Sequence, residues 1–132
     1  ALIDLITERC ITTAPDDPYT LILHGKREIA RGNYETAYEL LKRAIPDNSQ
    51  IVLLVGDVAF KLERYDEAIQ YLLRFIDRYP YHSISYLRLA DCYYKIGEHD
   101  KALEALDVVL RHDPQNPAAR RNYALLIAEM EE

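Results

Sequence analysis

Tryptophan is absent from this 132-residue chain, and methionine occurs once, glycine four times and cysteine twice. So few glycines exclude a collagen-like or glycine-rich flexible chain, and with 49% hydrophobic residues the composition is that of a helix-rich globular protein. Cys10 and Cys92 lie far apart with no CxxC spacing, which signals neither a disulfide framework nor a zinc site. No apolar run approaches the roughly 18 residues that span a bilayer. The opening ALIDLITERC is broken by Asp4, Glu8 and Arg9, so it does not read as a signal peptide and no direct membrane insertion is expected. Basic residues are outnumbered, 16 against 22 acidic, for a formal net charge of -6. That balance offers no general attraction to phosphate backbones, and nucleic acid is not an expected partner.

What the chain does contain is a repeat. NYETAYELL (33 to 41), RYDEAIQYLL (64 to 73) and EHDKALEALD (98 to 107) align with Ala37, Ala68 and Ala102 in one column. Upstream of each lies a second recurring stretch: LILHGKREIARG (21 to 32), VLLVGDVAFKLE (52 to 63) and YLRLADCYYKIG (86 to 97), with Gly25, Gly56 and Ala90 in its fifth column. In the third unit Tyr86, Leu89, Ala90 and Tyr93 recur at helical spacing, as do Ala102 and Leu106, which puts one apolar face on each helix. Each unit therefore reads as a helical hairpin whose small residues let two backbones approach.

These columns resemble the tetratricopeptide repeat family, whose 34-residue pattern runs aromatic-x2-Leu-Gly-x2-Tyr, then Ala-x3-Phe, then Pro. Tyr86, Leu89, Ala90, Tyr93, Ala102, Leu106 and Pro114 follow it, as do Val52, Val55, Gly56, Ala59, Ala68, Leu72 and Pro80. The first unit offers Leu21, Gly25, Ala37 and Leu41, but carries His24 and Glu28 where the family has Leu and Tyr. Its step to the next unit is also short, 68 - 37 = 31 residues, and Pro46 should stop its second helix near Ile45.

The resemblance implies an all-α, right-handed superhelical solenoid of stacked helix-turn-helix repeats with about eight helices. Residues 2 to 13 are expected to be the second helix of a truncated repeat, followed by repeats at 18 to 48, 49 to 82 and 83 to 116. A C-terminal helix over 117 to 131 is expected to be capped by Asn116, with Pro117 in its first turn. One tetratricopeptide domain, a piece of a longer protein, is the expected organisation.

Catalytic chemistry is not indicated. The sequence has no glycine-rich phosphate loop, HExxH or GxSxG motif, and no nucleophile set beside a base. Asp66 and Glu67, beside Tyr65, diverge by about 100° on a helix and cannot converge on one atom. Both suit a helix start, where negative charge meets the dipole. His24, His82, His99 and His112 show no i, i+4 pairing for a metal. His24 falls in a column that should face the core, and His112 at a helix end, where a cation is favoured. No cofactor or metal is expected, and no enzymatic activity.

The family resemblance implies instead a concave binding groove, one residue round each first helix from the core stripe. On this register the groove positions are Ile22, Lys26, Ile29 and Ala30; then Gln50, Leu53, Asp57, Phe60 and Lys61; then Ile84, Leu87, Arg88, Asp91, Tyr94 and Lys95; with Arg121 and Leu125 from the last helix. Apolar positions flanked by mixed charge suit an amphipathic helix or an extended peptide of a protein partner. The carboxylate clamp with which some family members hold chaperone tails would fall on Ile22, Lys26, Leu54, Ile84 and Arg88, and only Arg88 has the required type. The expected function is a scaffold or adaptor module for protein interaction. The rival expectation is an assembly element, packing on a second copy as a homo-oligomer or within a larger repeat protein.

Overall fold

The computed structural model describes residues 1–45 and 51–132, and within them every regular element is an α-helix. The order is α1 (Leu2–Thr13), α2 (Pro18–Ala30), α3 (Tyr34–Ala44), α4 (Val52–Lys61), α5 (Tyr65–Arg78), α6 (Ser83–Lys95), α7 (His99–His112) and α8 (Pro117–Met130). The all-α expectation of eight helices holds among the described residues. Contacts group the chain into two compact units, Ala1–Glu63 and Arg64–Glu132. Their boundary falls inside the stretch read as the second repeat.

In the N-terminal unit α2 and α3 form an antiparallel hairpin, with α1 against α2 and α4 against α3. Ala37, Tyr38, Leu41 and Ala44 recur at helical spacing and are fully buried, giving α3 a single core face. Gly25 shows why its column must be small: a Cβ there would stand 2.6 Å from Cγ of the buried Leu41. Helix α3 ends at Ala44 with Ile45 as its cap, and has 11 residues where α5 and α7 have 14. The difference, 14 - 11 = 3, is close to one turn; α4, with 10 residues against 13 in α6, is shorter by the same amount. Pro46 lies outside the described residues.

The C-terminal unit runs α5 on α6, α6 on α7 and α7 on α8. Its core includes Leu72, Leu89, Ala90, Ala102, Leu106, Val109, Ala119 and Leu126. Burying a leucine of this kind stabilises by roughly 1.5–3 kcal/mol. Cys92 is buried and Cys10 half-buried, and the two are not joined by a disulfide.

Helix ends are set by local chemistry. Asp17 accepts from the amides of Tyr19 (3.0 Å) and Thr20 (3.4 Å), with Pro18 in the first helical position. Asn116 accepts from the Ala119 amide at 3.0 Å ahead of Pro117. His82 caps α6, its Nδ1 accepting from the Ser85 amide at 3.3 Å and lying 2.7 Å from the Ser85 hydroxyl. Asp66 and Glu67 occupy the first turn of α5, where they favour the helix dipole.

The turns after α2 and α6 place Gly32 and Gly97 at φ of 79° and 83°. Asn33 N–H donates to Glu28 O and Glu98 N–H to Tyr93 O, both at 2.8 Å, closing the helix ends in the Schellman manner. The corresponding position after α4 is Glu63, at φ 59°, a left-handed conformation without glycine.

Candidate functional site

In the C-terminal unit α6, α7 and α8 line an open cavity of about 400 Å³. Helix α6 contributes Ala90, Asp91 and Tyr94, α7 contributes Ala102 and Leu106, and α8 contributes Asn122, Leu125, Leu126 and Glu129. Each set recurs at spacings of one, three or four residues, so each occupies one helix face. Ala90 and Ala102, the small residues of the two repeat columns, leave the space that larger side chains would fill. Leu106 and Leu126 are buried and make an apolar floor, whereas Leu125 (63% exposed) and Tyr94 (41%) stand at the rim.

The Tyr94 hydroxyl donates to the Glu129 carboxylate, at 2.8 Å to Oε2 and 3.0 Å to Oε1, tying α6 to α8 across the opening. This bond to a carboxylate, and the negative charge beside it, raise the pKa of the phenol above its ordinary value. The Tyr94 ring also meets His99 edge-on, with centroids 5.5 Å apart. Asp91 is solvent-accessible, yet the cavity walls crowd its carboxyl, and this partial desolvation raises its pKa, with Arg88 and Lys95 opposing.

Of the positions expected to line a groove, the cavity brings together Asp91, Tyr94 and Leu125. On the same unit Ile84, Arg88, Lys95 and Arg121 are exposed and Leu87 is half-buried, outside the cavity wall. In the N-terminal unit Ile22 is buried in the core and Ile29 is half-buried, while Lys26 and Ala30 are exposed. Leu53, Asp57 and Phe60 are half-buried, and Lys61 is exposed with its Nζ 5.9 Å from the Tyr34 ring centroid. Gln50 lies outside the described residues. Sequence reasoning did not single out Asn122 or Glu129; their spacing of three and four from Leu125 was the available signal.

The two departures of the first repeat, His24 and Glu28, turn out to face each other. Nε2 of His24 is 3.8 Å from Glu28 Oε1, so His24 sits half-buried at the edge of the core rather than inside it. Asn33 donates to Glu28 Oε2 at 2.8 Å, Arg31 reaches Oε1 at 3.5 Å, and Arg27 pairs with both Glu28 and Glu8 of α1. The Asn33 hydrogen bond is the main cause that holds the Glu28 pKa below its usual value, against the opposing effect of burial and with help from Arg31, His24 and Arg27. Through the Arg27–Glu8 pair the cluster fastens α1 to α2, although among the described residues the buried Arg27 Nε makes no hydrogen bond, standing 3.7 Å from Glu28 Oε1. Among the described residues no group of three or more His, Cys, Asp or Glu is placed to hold a metal ion, and no helix is long and apolar enough to cross a membrane.

Comparison with known proteins agrees with this architecture. A tetratricopeptide repeat model matches residues 53–117 and 87–129, and a model of anaphase-promoting complex, cyclosome, subunit 3 matches residues 5–75. The chain is 32% identical over 107 residues to the "Protein CTR9 homolog" of Arabidopsis thaliana, covering 78% of this chain and 10% of that protein. Its fold matches the crystal structure of MamA with a TM-score of 0.84 at 24% identity, over 95% of this chain and 75% of that one. It also matches the first TPR of Spaghetti (RPAP3), bound to the HSP90 peptide SRMEEVD, with a TM-score of 0.76 at 15% identity, over 87% and 94% of the two chains. With the repeat model matched across residues 53–129, more than half of the 132-residue chain, the aligned columns and the helical hairpins that they build have one reading: the chain belongs to the tetratricopeptide repeat family.

Proposed function

We propose that the chain is a non-catalytic protein-interaction module that holds a peptide or helix of a partner protein, with the α6–α8 cavity as its principal seat. The observation that carries this reading is the cavity itself, an apolar floor under an exposed leucine and tyrosine with polar groups at the rim. Pockets of such composition let an apolar anchor supply affinity while a few polar groups fix orientation. The remaining groove positions Ile84, Leu87, Arg88, Lys95 and Arg121 would extend the contact along α6 and α8. In the N-terminal unit Lys26, Ile29, Gln50, Leu53, Asp57, Phe60 and Lys61 are the corresponding proposals, whereas Ile22, expected in the groove, is withdrawn because it is buried in the core.

The test is a pair of substitutions. Tyr94→Ala and Leu125→Ala should each weaken partner capture while the helical circular dichroism and thermal midpoint stay close to wild type. If both lose binding only in proportion to a large loss of stability, these side chains are core and the reading fails.

A second reading is favoured by one feature of α1. Leu2 (72% exposed) and Leu5 (70%) lie with Ile3 and Ile6 on an apolar surface that the described residues leave open. That surface suits packing on a second copy or on further repeats, as an assembly element would need. Sedimentation of wild type and Leu2→Asp/Leu5→Asp decides it: concentration-dependent association abolished by the double substitution supports assembly, and a monomer at all concentrations excludes a homo-oligomer.

A further inference from the structure

We propose that the α6–α8 cavity is an anchor pocket for one lysine or arginine side chain of a partner polypeptide, whose methylenes lie on Leu125 and Leu126 and whose cationic head meets Glu129 and Asp91. The inference rests on the partner-binding reading above and specifies the chemistry of its ligand. Two carboxylates line this cavity, and none of its lining residues is lysine or arginine. The cations nearest in effect, Arg88 and Lys95, act on Asp91. Glu129 receives the Tyr94 hydroxyl, which is a neutral donor, so its charge is oriented without being cancelled. A carboxylate has about four lone-pair sites, and the phenol takes part of that capacity, leaving the rest for an incoming cation.

The walls decide between a bare cation and a basic side chain. A metal ion would need several converging oxygens and gains nothing from an apolar floor. A lysine or arginine uses both halves of the site, since its aliphatic stem covers apolar surface while the head stays at the polar rim. The exposed Tyr94 ring adds a π face within reach of that rim. The polarity is the reverse of a carboxylate clamp: the SRMEEVD peptide held by the Spaghetti domain carries adjacent glutamates, and an acidic segment entering here would meet like charge.

The experiment is selection of a random-peptide display library on the 132-residue chain, with each selected peptide then made in a second version carrying norleucine at its enriched basic position. The expected result is enrichment of lysine or arginine at one fixed position between apolar neighbours, with amide shifts on binding at Asn122, Leu125 and Glu129. The norleucine version should bind more weakly by on the order of fivefold on the wild-type chain. On the Glu129→Gln/Asp91→Asn chain the two versions should bind alike. Changing the peptide leaves the protein untouched, so the comparison stands even where the double variant is less stable. Peptides that bind in the cavity with no basic preference, or with an acidic one, overturn this inference and leave the partner-binding reading intact. A failure to select any peptide that shifts the cavity residues overturns both.

Discussion

Replacing Glu63 by glycine should make this protein more stable. Glu63 holds φ at 59° in the turn where the other two hairpins have Gly32 and Gly97 at 79° and 83°. A residue with a Cβ loses about 1–2 kcal/mol in this left-handed conformation through contact with the following carbonyl. Glycine removes that strain, but its greater freedom in the unfolded chain returns about 0.4–1 kcal/mol. The net expectation is a gain of about 0.5–1 kcal/mol, which for a domain of this size raises Tm by roughly 2–4 °C. Glu63 is exposed, so little packing is lost in the exchange. The reverse kind of substitution, Gly97→Ala, carries the same two contributions with opposite sign and should cost about 0.5–1 kcal/mol; a Cβ added there meets no atom within 4 Å, so the loss comes from the local backbone conformation rather than from a clash with neighbours. Urea titrations followed by far-ultraviolet circular dichroism measure both. A Glu63→Gly midpoint at or below wild type, or a Gly97→Ala midpoint unchanged, would refute the assignment of these turns.

Two other perturbations probe side-chain chemistry. His82→Ala removes the cap of α6 and should cost about 1 kcal/mol, whereas His82→Asn should recover most of it, because either side chain can accept from the Ser85 amide; equal losses in the two variants would show that ring packing on Phe75 matters more than the cap. The Asn33 hydrogen bond holds the Glu28 carboxyl below its ordinary value in the folded protein, so its contribution to stability is fully present above the unfolded pKa and is lost as pH falls through the lower, folded pKa. Urea midpoints of wild type should therefore fall more steeply on acidification below about pH 4.5 than those of Glu28→Gln, and parallel curves would remove Glu28 from the account.

Regular packing was legible in the residues themselves. The alanine columns at 37, 68 and 102 announced the three hairpins, since only small residues permit the approach that Gly25 makes to Leu41. Pro117 marked a helix start because proline lacks the amide that a first turn leaves unused. The His24–Glu28 pair was visible as two departures from the pattern but not as a partnership, because its meaning depends on Asn33 and Arg27 arriving from the turn and the same helix face. Glu63 looked like any polar turn residue, since φ is not written in side-chain chemistry. The cavity was half legible: Asp91, Tyr94 and Leu125 followed from the groove register, whereas Glu129 enters through a hydrogen bond between residues 35 positions apart, which no local spacing encodes.

The central claim, that the face formed by α6, α7 and α8 is the seat of a partner polypeptide, is tested most directly by nuclear magnetic resonance. An isotope-labelled sample of the chain is titrated with a bound peptide or partner fragment, and the amide and side-chain shifts are mapped. Saturable changes are expected to concentrate at Asp91, Tyr94, Asn122, Leu125 and Glu129. Saturable changes that spare these residues and gather on α1 would contradict it.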